Sequence, residues 1–302
     1  MRFKRLDLNL LVALDHLMEL RSVSAAAERM HMSQSAMSNA LSRLRDYFGD
    51  PLLVQVGRRM ELTPRAEAMR GAVRDILVRI EATIETEPQF DPRASDRAFN
   101  LLISDYTMTV LMPQLLALAH AGGSRVRFNF LAQTDRPYVL LERGEADLLI
   151  APDHLCSADH PRTELFRDEY VCVVWSRGRL AGSPIDTDAY LGADHAVMVP
   201  PNQARSAETE LLSRLGIRRR VALTTFSFSA LPLLVVGTDL VATVHGRIAR
   251  QAARTLPVEI HPLPFDLPPL RQTLQWHAYR DRDPAIKWAR QLLALAARRM
   301  IH

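Results

Sequence analysis

The residues whose types and spacing best suit chemistry lie in one stretch, SQSAMSNALSRLR at 33–45. Short hydroxyl and amide side chains are followed here by arginines, and no carboxylate occurs before Asp46. Such groups form hydrogen bonds with base edges and phosphates in a DNA major groove. On a helix they share one face, formed by Ser35, Ser38, Asn39, Ser42, Arg43 and Arg45. The stretch therefore predicts a surface that reads nucleic acid.

Other kinds of chemistry find little support in the sequence. It contains no glycine-rich phosphate loop of the Walker type, no CxxC and no HExxH motif, and its histidines are scattered. Cys156 and Cys172 are expected to be buried, unpaired thiols, although a redox-sensing pair is an alternative. No nucleophile is accompanied by a base. The sequence predicts no catalytic residues, no cofactor and no metal site.

Composition is that of a globular protein, with 302 residues, 48% hydrophobic and 24% charged. The net charge is only +4, which does not by itself indicate nucleic-acid binding, so the spatial distribution of the charges is the relevant evidence. The basic and apolar N-terminus is interrupted by Asp7, Asp15 and Glu19, which disfavours a signal peptide. We expect a cytoplasmic protein without a membrane segment.

Three short helices are predicted in the first 50 residues. The first spans 6–21, the second is SAAAERMH with Ser22 or Ser24 as its cap, and the third spans 33–48. Ser33 caps the third helix and Gly49 ends it. A short helix, a tight turn and a second helix with a polar face form a helix-turn-helix.

A hairpin follows the helices. Residues 52–56 and 60–62 are predicted strands around Gly57, Arg58 and Arg59. Two arginines at the tip suit a wing that reaches the DNA backbone or minor groove. The alternative is that both are solvated turn residues.

Thr63 and Pro64 open a long helix predicted to run to about residue 87. Its apolar residues follow the alternating spacing of a coiled-coil seam, which favours pairing with a second copy of the chain. These residues are Met69, Val73, Ile76, Ile80 and either Thr83 or Ile84. The alternative is a helix that packs only within its own domain.

Beyond the polar, proline-containing stretch 87–96, predicted strands and helices alternate, which is typical of a parallel α/β sheet. The first of these helices is predicted for TMTVLMPQLLALAHA at 107–121. A second series starts near residue 166 with FRDEYVCVVWS. Two such series predict two lobes with a cleft between them. The final strand and helix, from TLQWHAYR onward, are expected to return to the first lobe.

Residues 25–66, AAERMHMSQSAMSNALSRLRDYFGDPLLVQVGRRMELTPRA, resemble the LysR-type transcriptional regulators. Within that family they are similar to the nodulation and aromatic-degradation activators. The resemblance implies a winged helix-turn-helix, a dimerising linker helix and a two-lobed α/β effector domain like a periplasmic binding protein. It also implies tetramers whose bending of DNA responds to a small molecule.

The resemblance divides the chain into three parts. Residues 1–64 are the expected DNA-binding domain, 65–92 the linker and dimerisation helix with its hinge, and 93–302 the effector domain. Within the effector domain, lobe I is expected at about 93–165 and 269–302, and lobe II at about 166–268.

Matching positions supply the candidate DNA contacts: Ser33, Gln34, Ser35, Ser38, Asn39, Arg43, Arg58 and Arg59. Two of them depart from the family pattern, because many members have proline in place of Ser35 and arginine in place of Asn39. Asparagine reads adenine bidentately but adds no charge for the backbone. The base preference of relatives therefore does not transfer.

In the family that the sequence resembles, the ligand lies between the lobes near the carboxyl ends of strands, as expected for parallel α/β sheets. The matching positions here are the candidate effector contacts. They are Ser104, Asp105, Thr107, Thr134, Pro152, Pro201, Asn202, Phe226, Ser227 and His245. Asp105 would repel an anion unless it is turned away or protonated, which keeps neutral, phenolic and cationic effectors open. Tyr106, Phe226 and Phe228 are either an aromatic slot or part of the core.

The expected partners are double-stranded promoter DNA, a small-molecule effector for which an aromatic compound is one option, and further copies of the chain as homodimer or homotetramer. RNA polymerase is a further candidate. Two alternatives to this effector-controlled regulator stay open. One is a regulator whose cleft is filled by its own side chains, and the other is a solute-binding α/β protein with N-terminal helices that serve assembly only.

Overall fold

The computed structural model describes residues 6–57, 59–85, 89–134, 136–200 and 206–300. The chain divides into two compact units, residues 1–86 and 87–302. We refer to them as the N-terminal unit and the effector unit.

The N-terminal unit consists of helices and one hairpin. Its elements are α1 (Leu8–Leu20), α2 (Val23–Arg29), α3 (Gln34–Phe48), β1 (Leu53–Val56), β2 (Arg59–Leu62) and α4 (Pro64–Glu85). Polar caps explain where the helices begin, because Asp7, Ser22 and Ser33 each accept a hydrogen bond from a backbone N–H of the first turn. Gly49 ends α3 in the left-handed conformation (φ 60°), as the sequence predicts.

A single apolar core holds these helices together. Leu14 and Leu17 of α1, Ala26 of α2 and Met37 and Leu44 of α3 are fully buried in it. The predicted second helix is shorter than expected, since it ends at Arg29. His31 takes φ 52° in the turn that leads into α3. The small Ala26 allows α2 and α3 to approach closely, which gives the expected helix-turn-helix.

The effector unit contains two five-stranded sheets. Helices α5 (Asp105–Val110), α6 (Met112–Ala121), α7 (Pro137–Glu142), α8 (Thr187–Gly192), α9 (Ala207–Arg214), α10 (Leu231–Leu234), α11 (Gly246–Ala253) and α12 (Pro284–Arg299) accompany them. The strands are β3 (Ala98–Ile103), β4 (Arg127–Ala132), β5 (Leu148–Pro152), β6 (Arg162–Asp168), β7 (Tyr170–Trp175), β8 (Asp194–Met198), β9 (Arg220–Thr225), β10 (Val241–His245), β11 (Val258–Pro262) and β12 (Leu270–Trp276).

The sheet order defines the two lobes. Lobe I is built on the sheet β4-β3-β5-β12-β6 and lobe II on the sheet β11-β7-β10-β8-β9. In lobe I, β3 pairs in parallel with β4 and β5, as the alternation of strands and helices predicts. β12 pairs antiparallel with β5 and β6, so the C-terminal strand returns to the first lobe as expected.

Three predictions about the effector unit were inaccurate. Each sheet is mixed rather than parallel, because β7 and β12 pair antiparallel with their neighbours. The second series starts later than expected, since the first residues of FRDEYVCVVWS end β6 in lobe I and its later residues form β7 in lobe II. The single helix predicted for 107–121 breaks at Leu111, where Pro113 lacks the N–H that would continue the first helix.

Within the described residues, no helix combines the length and the apolar character needed to cross a membrane.

Candidate nucleic-acid interface and effector site

The exposed face of α3 carries most of the candidate DNA contacts. Gln34, Ser35, Ser38, Asn39 and Arg43 are all exposed. On the opposite face lie the buried residues of the helix, Met37, Ala40, Leu41 and Leu44. The apolar stripe fixes the rotation of the helix about its axis, so the polar stripe faces solvent.

The first residues of this face are also held by local hydrogen bonds. Ser33 Oγ accepts a hydrogen bond from the Ala36 N–H at 3.2 Å and lies 3.0 Å from Ser35 Oγ. The cap and the candidate contact residues therefore belong to the same turn. Ser33 positions the turn as well as presenting a hydroxyl.

Arg43 forms an ion pair with Asp7, the cap of α1, at 3.3 Å. Both side chains are more than half exposed. Exposed pairs of this kind contribute about 0–1 kcal/mol, so Arg43 can exchange the carboxylate for a phosphate at little cost. A phosphate at Arg43 would have to replace this carboxylate.

Arg45 does not belong to the exposed polar face of α3, contrary to the prediction. Its guanidinium is half-buried and donates to the backbone oxygens of Pro51 and Leu53 at 2.8 and 2.9 Å. The arginine thus ties α3 to the start of the hairpin. Sequence spacing alone does not tell a structural arginine from a candidate DNA contact, because Arg45 and Arg43 are the same residue type on neighbouring parts of the helix.

A second contact set also shapes the hairpin. Leu52 is buried with φ 60°, a conformation that is rare for a residue with a branched side chain. The Asp50 carboxylate accepts hydrogen bonds from the Leu52 N–H at 2.7 Å and the Thr63 hydroxyl at 2.6 Å. Those two bonds, with that from Thr63 first, lower the pKa of Asp50. The carboxylate therefore stays charged and holds both ends of the hairpin.

The hairpin has the predicted two strands. Val56 pairs with Arg59 beside Gly57, whose φ of 61° makes the turn. Arg59 is exposed at the start of β2, and Arg58 lies outside the described residues. The position of Arg59 at the tip is that of a wing residue.

Helix α4 uses its apolar residues in two ways. Val73 and Leu77 are buried in the core of the N-terminal unit, and Met69 packs against it. An ion pair between Arg74 and Asp15 further ties α4 to α1. The first half of the predicted seam thus packs within its own domain, as in the alternative reading.

Another side of α4, towards its C-terminal end, has apolar side chains that are exposed to solvent. Ile76 is 47% exposed and Ile84 is 74% exposed, and Ile80 between them is half-buried. They follow one another at four-residue spacing, which puts them on one side of the helix.

The candidate effector residues of α5 come together with lobe II. Ser104 caps α5, and its hydroxyl lies 3.1 Å from that of the buried Thr107. The Asp105 side chain has other partners. Its carboxylate accepts hydrogen bonds from the Ser227 hydroxyl at 2.7 Å and the Ser229 N–H at 2.9 Å, both from lobe II. The Asp105 carboxylate is therefore bound by lobe II in this structure, and the expected conflict between Asp105 and an anion remains.

Two further hydroxyl contacts join the same segments. Thr109 Oγ1 lies 2.8 Å from Ser229 Oγ, and Ser229 Oγ lies 3.4 Å from the backbone oxygen of Asp105. Sequence reasoning missed Thr109 and Ser229. The available signal was the repeated serine in SFSALP, just before a short helix that has Pro232 in its first turn.

His245 is buried rather than open to a ligand, with 4% of its surface exposed. Its ring lies 4.3 Å from Tyr106, 5.0 Å from Tyr170 and 5.1 Å from Phe228, measured between ring centroids. Burial lowers the pKa of His245 to about 3, so the ring is neutral. Its Nδ1 has no hydrogen-bond partner among the described residues.

The remaining candidates are spread out. Phe226 is 76% exposed, so it does not form an aromatic slot with the buried Tyr106. Thr134 is exposed and Pro152 is half-buried at the end of β5. Pro201 and Asn202 lie outside the described residues.

A buried carboxylate that the sequence did not indicate marks the crossing between the lobes. Asp168 ends β6, and it accepts hydrogen bonds from the Tyr106 hydroxyl at 2.6 Å and the Arg247 N–H at 3.2 Å. Burial raises the pKa of Asp168, although these hydrogen bonds oppose the shift. Tyr106 thus belongs to the packing at the crossing, together with His245.

The two cysteines are free. Burial raises the pKa of Cys156 to about 11 and that of Cys172 to about 12, so both thiols stay protonated at neutral pH. Across the described ranges, no group of three or more His, Cys, Asp or Glu side chains is arranged to hold a metal ion.

Known families match both units. Residues 8–67 match the family described as bacterial regulatory helix-turn-helix protein, lysR family, and residues 93–298 match the LysR substrate binding domain. The chain therefore belongs to the LysR family of transcriptional regulators, with a helix-turn-helix DNA-binding domain and an effector-binding domain.

Among relatives, the chain is 40% identical over 301 residues to Nodulation protein D 1 of Rhizobium tropici, which covers 99% of this chain and 98% of that protein. It is 38% identical over 301 residues to Nodulation protein D 1 of Mesorhizobium japonicum, covering 99% and 96%.

Solved structures are similar as well. The crystal structure of a probable transcriptional regulator from Pseudomonas aeruginosa has a TM-score of 0.66 and 32% identity, and the match covers 96% of this chain and 97% of that one. Full-length OxyR from the same organism has a TM-score of 0.68 at 18% identity, covering 97% and 95%, and shares the fold.

Proposed function

We propose that this LysR-family regulator binds promoter DNA through the exposed face of α3 and the hairpin wing, and that a small molecule bound between the lobes controls how its subunits are arranged on that DNA. The observation that carries the proposal is the exposed polar stripe of α3, which runs from Gln34 to Arg43 beside an arginine-bearing hairpin. Its side chains match the groups that read a major groove.

Gel-shift and footprinting experiments on the DNA upstream of the protein's own gene test DNA binding. The double variant Ser38→Ala/Arg43→Ala is expected to lose about ten- to hundredfold in affinity, because one base contact contributes about 1–3 kcal/mol and one phosphate contact adds to it. The control variant Ser183→Ala/Arg254→Ala changes exposed residues of the effector unit. Absence of any protected site in the wild type would overturn the proposal.

Pairing of two copies is assigned to the open side of α4, where Ile76 and Ile84 are exposed. The variant Ile76→Ser/Ile84→Ser is expected to raise the dimer dissociation constant in analytical ultracentrifugation, because it removes apolar surface from the subunit contact. Leu191→Ser, at an exposed leucine of the effector unit, serves as the control. An unchanged dissociation constant would mean that the subunit contact does not involve this side of α4.

The candidate effector residues support a binding role rather than an enzymatic one. Asp105, Ser227 and Thr107 are engaged in hydrogen bonds with other protein groups, and no nucleophile with a base is apparent in the sequence. We therefore infer that the protein is not an enzyme and acts in the cytoplasm, where promoter DNA is accessible. RNA polymerase is a further proposed partner.

A regulator without an effector is the second candidate. It is favoured by the rings of Tyr106, Phe228 and His245, which pack together, and by the contact of Asp105 with lobe II. Calorimetry against a panel of aromatic and acidic metabolites separates the two. Binding that also changes the footprint supports effector control, and the absence of both across the panel supports the second candidate.

A further inference from the structure

The contact between the lobes is built around one carboxylate. Asp105 Oδ2 accepts both the Ser227 hydroxyl at 2.7 Å and the Ser229 N–H at 2.9 Å. Thr109 and Ser229 add a contact between hydroxyls at 2.8 Å. We call the four residues Asp105, Thr109, Ser227 and Ser229 the interlobe clasp.

The clasp joins one short segment of each lobe. Asp105 and Thr109 belong to α5, which follows the lobe I strand β3, and the two serines lie between β9 and α10 of lobe II. All four residues are half-buried. Hydrogen bonds to an ionised acceptor are about twice as strong as neutral ones, and partial burial limits competition from water. The clasp therefore favours the arrangement in which the lobes meet.

The clasp also occupies the place expected for a ligand. β3 and β9 both end at its segments, and ligands of open α/β sheets bind beyond the carboxyl ends of strands. Ser227 additionally accepts a hydrogen bond from the Ala230 N–H at 3.1 Å, so its hydroxyl is fixed in position to donate to Asp105. An effector entering here would meet donors that are already satisfied by the protein's own carboxylate.

We propose that Asp105 acts as an internal occupant of the effector site, which holds the two lobes in the effector-free arrangement until an effector displaces it. The inference rests on the proposed function, since it concerns regulation at the same cleft. A ligand shifts a two-state equilibrium only by its difference in affinity for the two states. Because the clasp stabilises the effector-free arrangement, an effector must bind more tightly to shift the lobes out of it. Removing the carboxylate lowers the affinity that is needed.

Hydrogen exchange of the full-length protein tests the clasp without any effector. Asp105→Ala is expected to raise amide exchange about tenfold at Ser229 and neighbouring residues, the factor expected when one hydrogen bond to a charged group is lost. Asp188→Ala, which removes an exposed carboxylate of lobe II, is expected to leave that exchange unchanged. Asp105→Asn retains an acceptor oxygen and is expected to give an intermediate rate. Equal exchange in wild type and Asp105→Ala would overturn the proposal.

Cross-linking measures the same contact by distance. Cysteines introduced together as Thr109→Cys and Ser229→Cys are expected to form a disulfide under mild oxidation, and adding Asp105→Ala is expected to slow it about tenfold for the same reason. If Asp105→Ala fails to fold, Ser227→Ala removes one donor and leaves the carboxylate in place. If neither Asp105→Ala nor Ser227→Ala changes the rate of disulfide formation, the interlobe clasp is contradicted.

Footprints taken with no added small molecule test the regulatory consequence. Asp105→Ala is expected to change the protected region or the DNA bend relative to wild type, while Asp188→Ala is not. Identical footprints, despite faster exchange at Ser229, would overturn the regulatory role of Asp105. Because exchange and cross-linking require neither DNA nor effector, they separate a failure of the clasp from a failure of the proposed function.

Discussion

The exposed face of α3 and the cleft between the lobes carry the same kinds of side chain, serine, threonine and short polar groups, in opposite situations. On α3, Ser38 and Asn39 are exposed beside a buried stripe that only fixes the orientation of the helix. In the cleft, Asp105 and Ser227 bind one another. Under the proposed function, the α3 surface is ready to bind DNA, whereas the cleft has to exchange its internal Asp105–Ser227 contact for an effector.

That difference suggests where each surface is sensitive to mutation. Removing a side chain from α3 should weaken DNA binding directly, with little effect on folding. Removing one from the cleft should change the balance between arrangements of the protein. The following predictions test the contrast, starting with the largest expected effect.

Asn39→Ala is expected to weaken binding to the preferred operator by about 1–3 kcal/mol, the contribution of one bidentate base contact. The discrimination at a single base pair should fall with it, because asparagine reads adenine through two hydrogen bonds. Binding to a library of operator variants measures both. Asn129→Ala, at an exposed asparagine of lobe I, is the control, and unchanged discrimination at every base pair would remove Asn39 from the reading surface.

Arg45→Met is expected to lower the free energy of unfolding of the N-terminal unit by about 1–2 kcal/mol, since two backbone oxygens lose a charged donor. It should also remove the penalty that Arg59→Ala imposes on DNA affinity, because a wing that is no longer fixed to α3 cannot place Arg59. Denaturant unfolding and a double-mutant cycle measure the two effects. Arg29→Met is the control. If the effects of Arg45→Met and Arg59→Ala on DNA affinity simply add, Arg45 contributes to the stability of the unit but does not position Arg59.

His245 is expected to make the effector unit less stable in mild acid. The folded ring has a pKa of about 3, whereas unfolded histidine titrates near 6.5. Between these values the unfolded state binds the extra proton, so stability falls as the pH is lowered through that window. His245→Phe fills the same space among aromatic rings without titrating.

The variant should therefore reduce the slope of stability against pH by up to about 1.4 kcal/mol per pH unit. Urea unfolding at pH 7, 6 and 5 measures the slope. His120→Phe, at an exposed histidine of α6, is the comparison. Equal slopes in the two variants would contradict a neutral, buried His245.

Asp7→Asn is expected to produce the smallest change, a gain in DNA affinity worth less than about 1 kcal/mol, because it frees Arg43 from an exposed ion pair. The asparagine still caps α1, so stability should be nearly unchanged. Affinity measured across a range of salt concentrations tests this. Asp46→Asn makes the same charge change at another exposed position, and an equal gain there would mean that only net charge matters.

Local signals made the N-terminal unit largely predictable. Ser33, Gly49 and the apolar spacing of α3 act within one helix, and the structure agrees with each of them. The hairpin was also evident from Gly57 between two short apolar runs. Arg45 was misjudged because its partners, the backbone oxygens of Pro51 and Leu53, lie outside the helix and carry no side-chain signature.

The cleft was less predictable because its contacts join distant parts of the chain. Asp105 and Ser229 are 124 residues apart in sequence, and nothing local pairs them. The burial of His245 depends on Tyr106 and Tyr170, which also come from separate elements. Long-range pairing likewise explains why the mixed sheets were not predicted. Alternation of strands and helices gives no information on the direction of β12, which returns to lobe I from the far end of the chain.

That returning strand has a consequence for biosynthesis. β12 lies between β5 and β6, and it is the neighbour through which β6 joins its sheet. During translation, which adds residues from the N-terminus at about 5–20 per second, the helix-turn-helix emerges long before β12. A nascent chain therefore presents a DNA-binding surface while lobe I is still missing an inner strand. Until β12 emerges from the ribosome, β5 is an open edge and β6 has no neighbouring strand in this sheet.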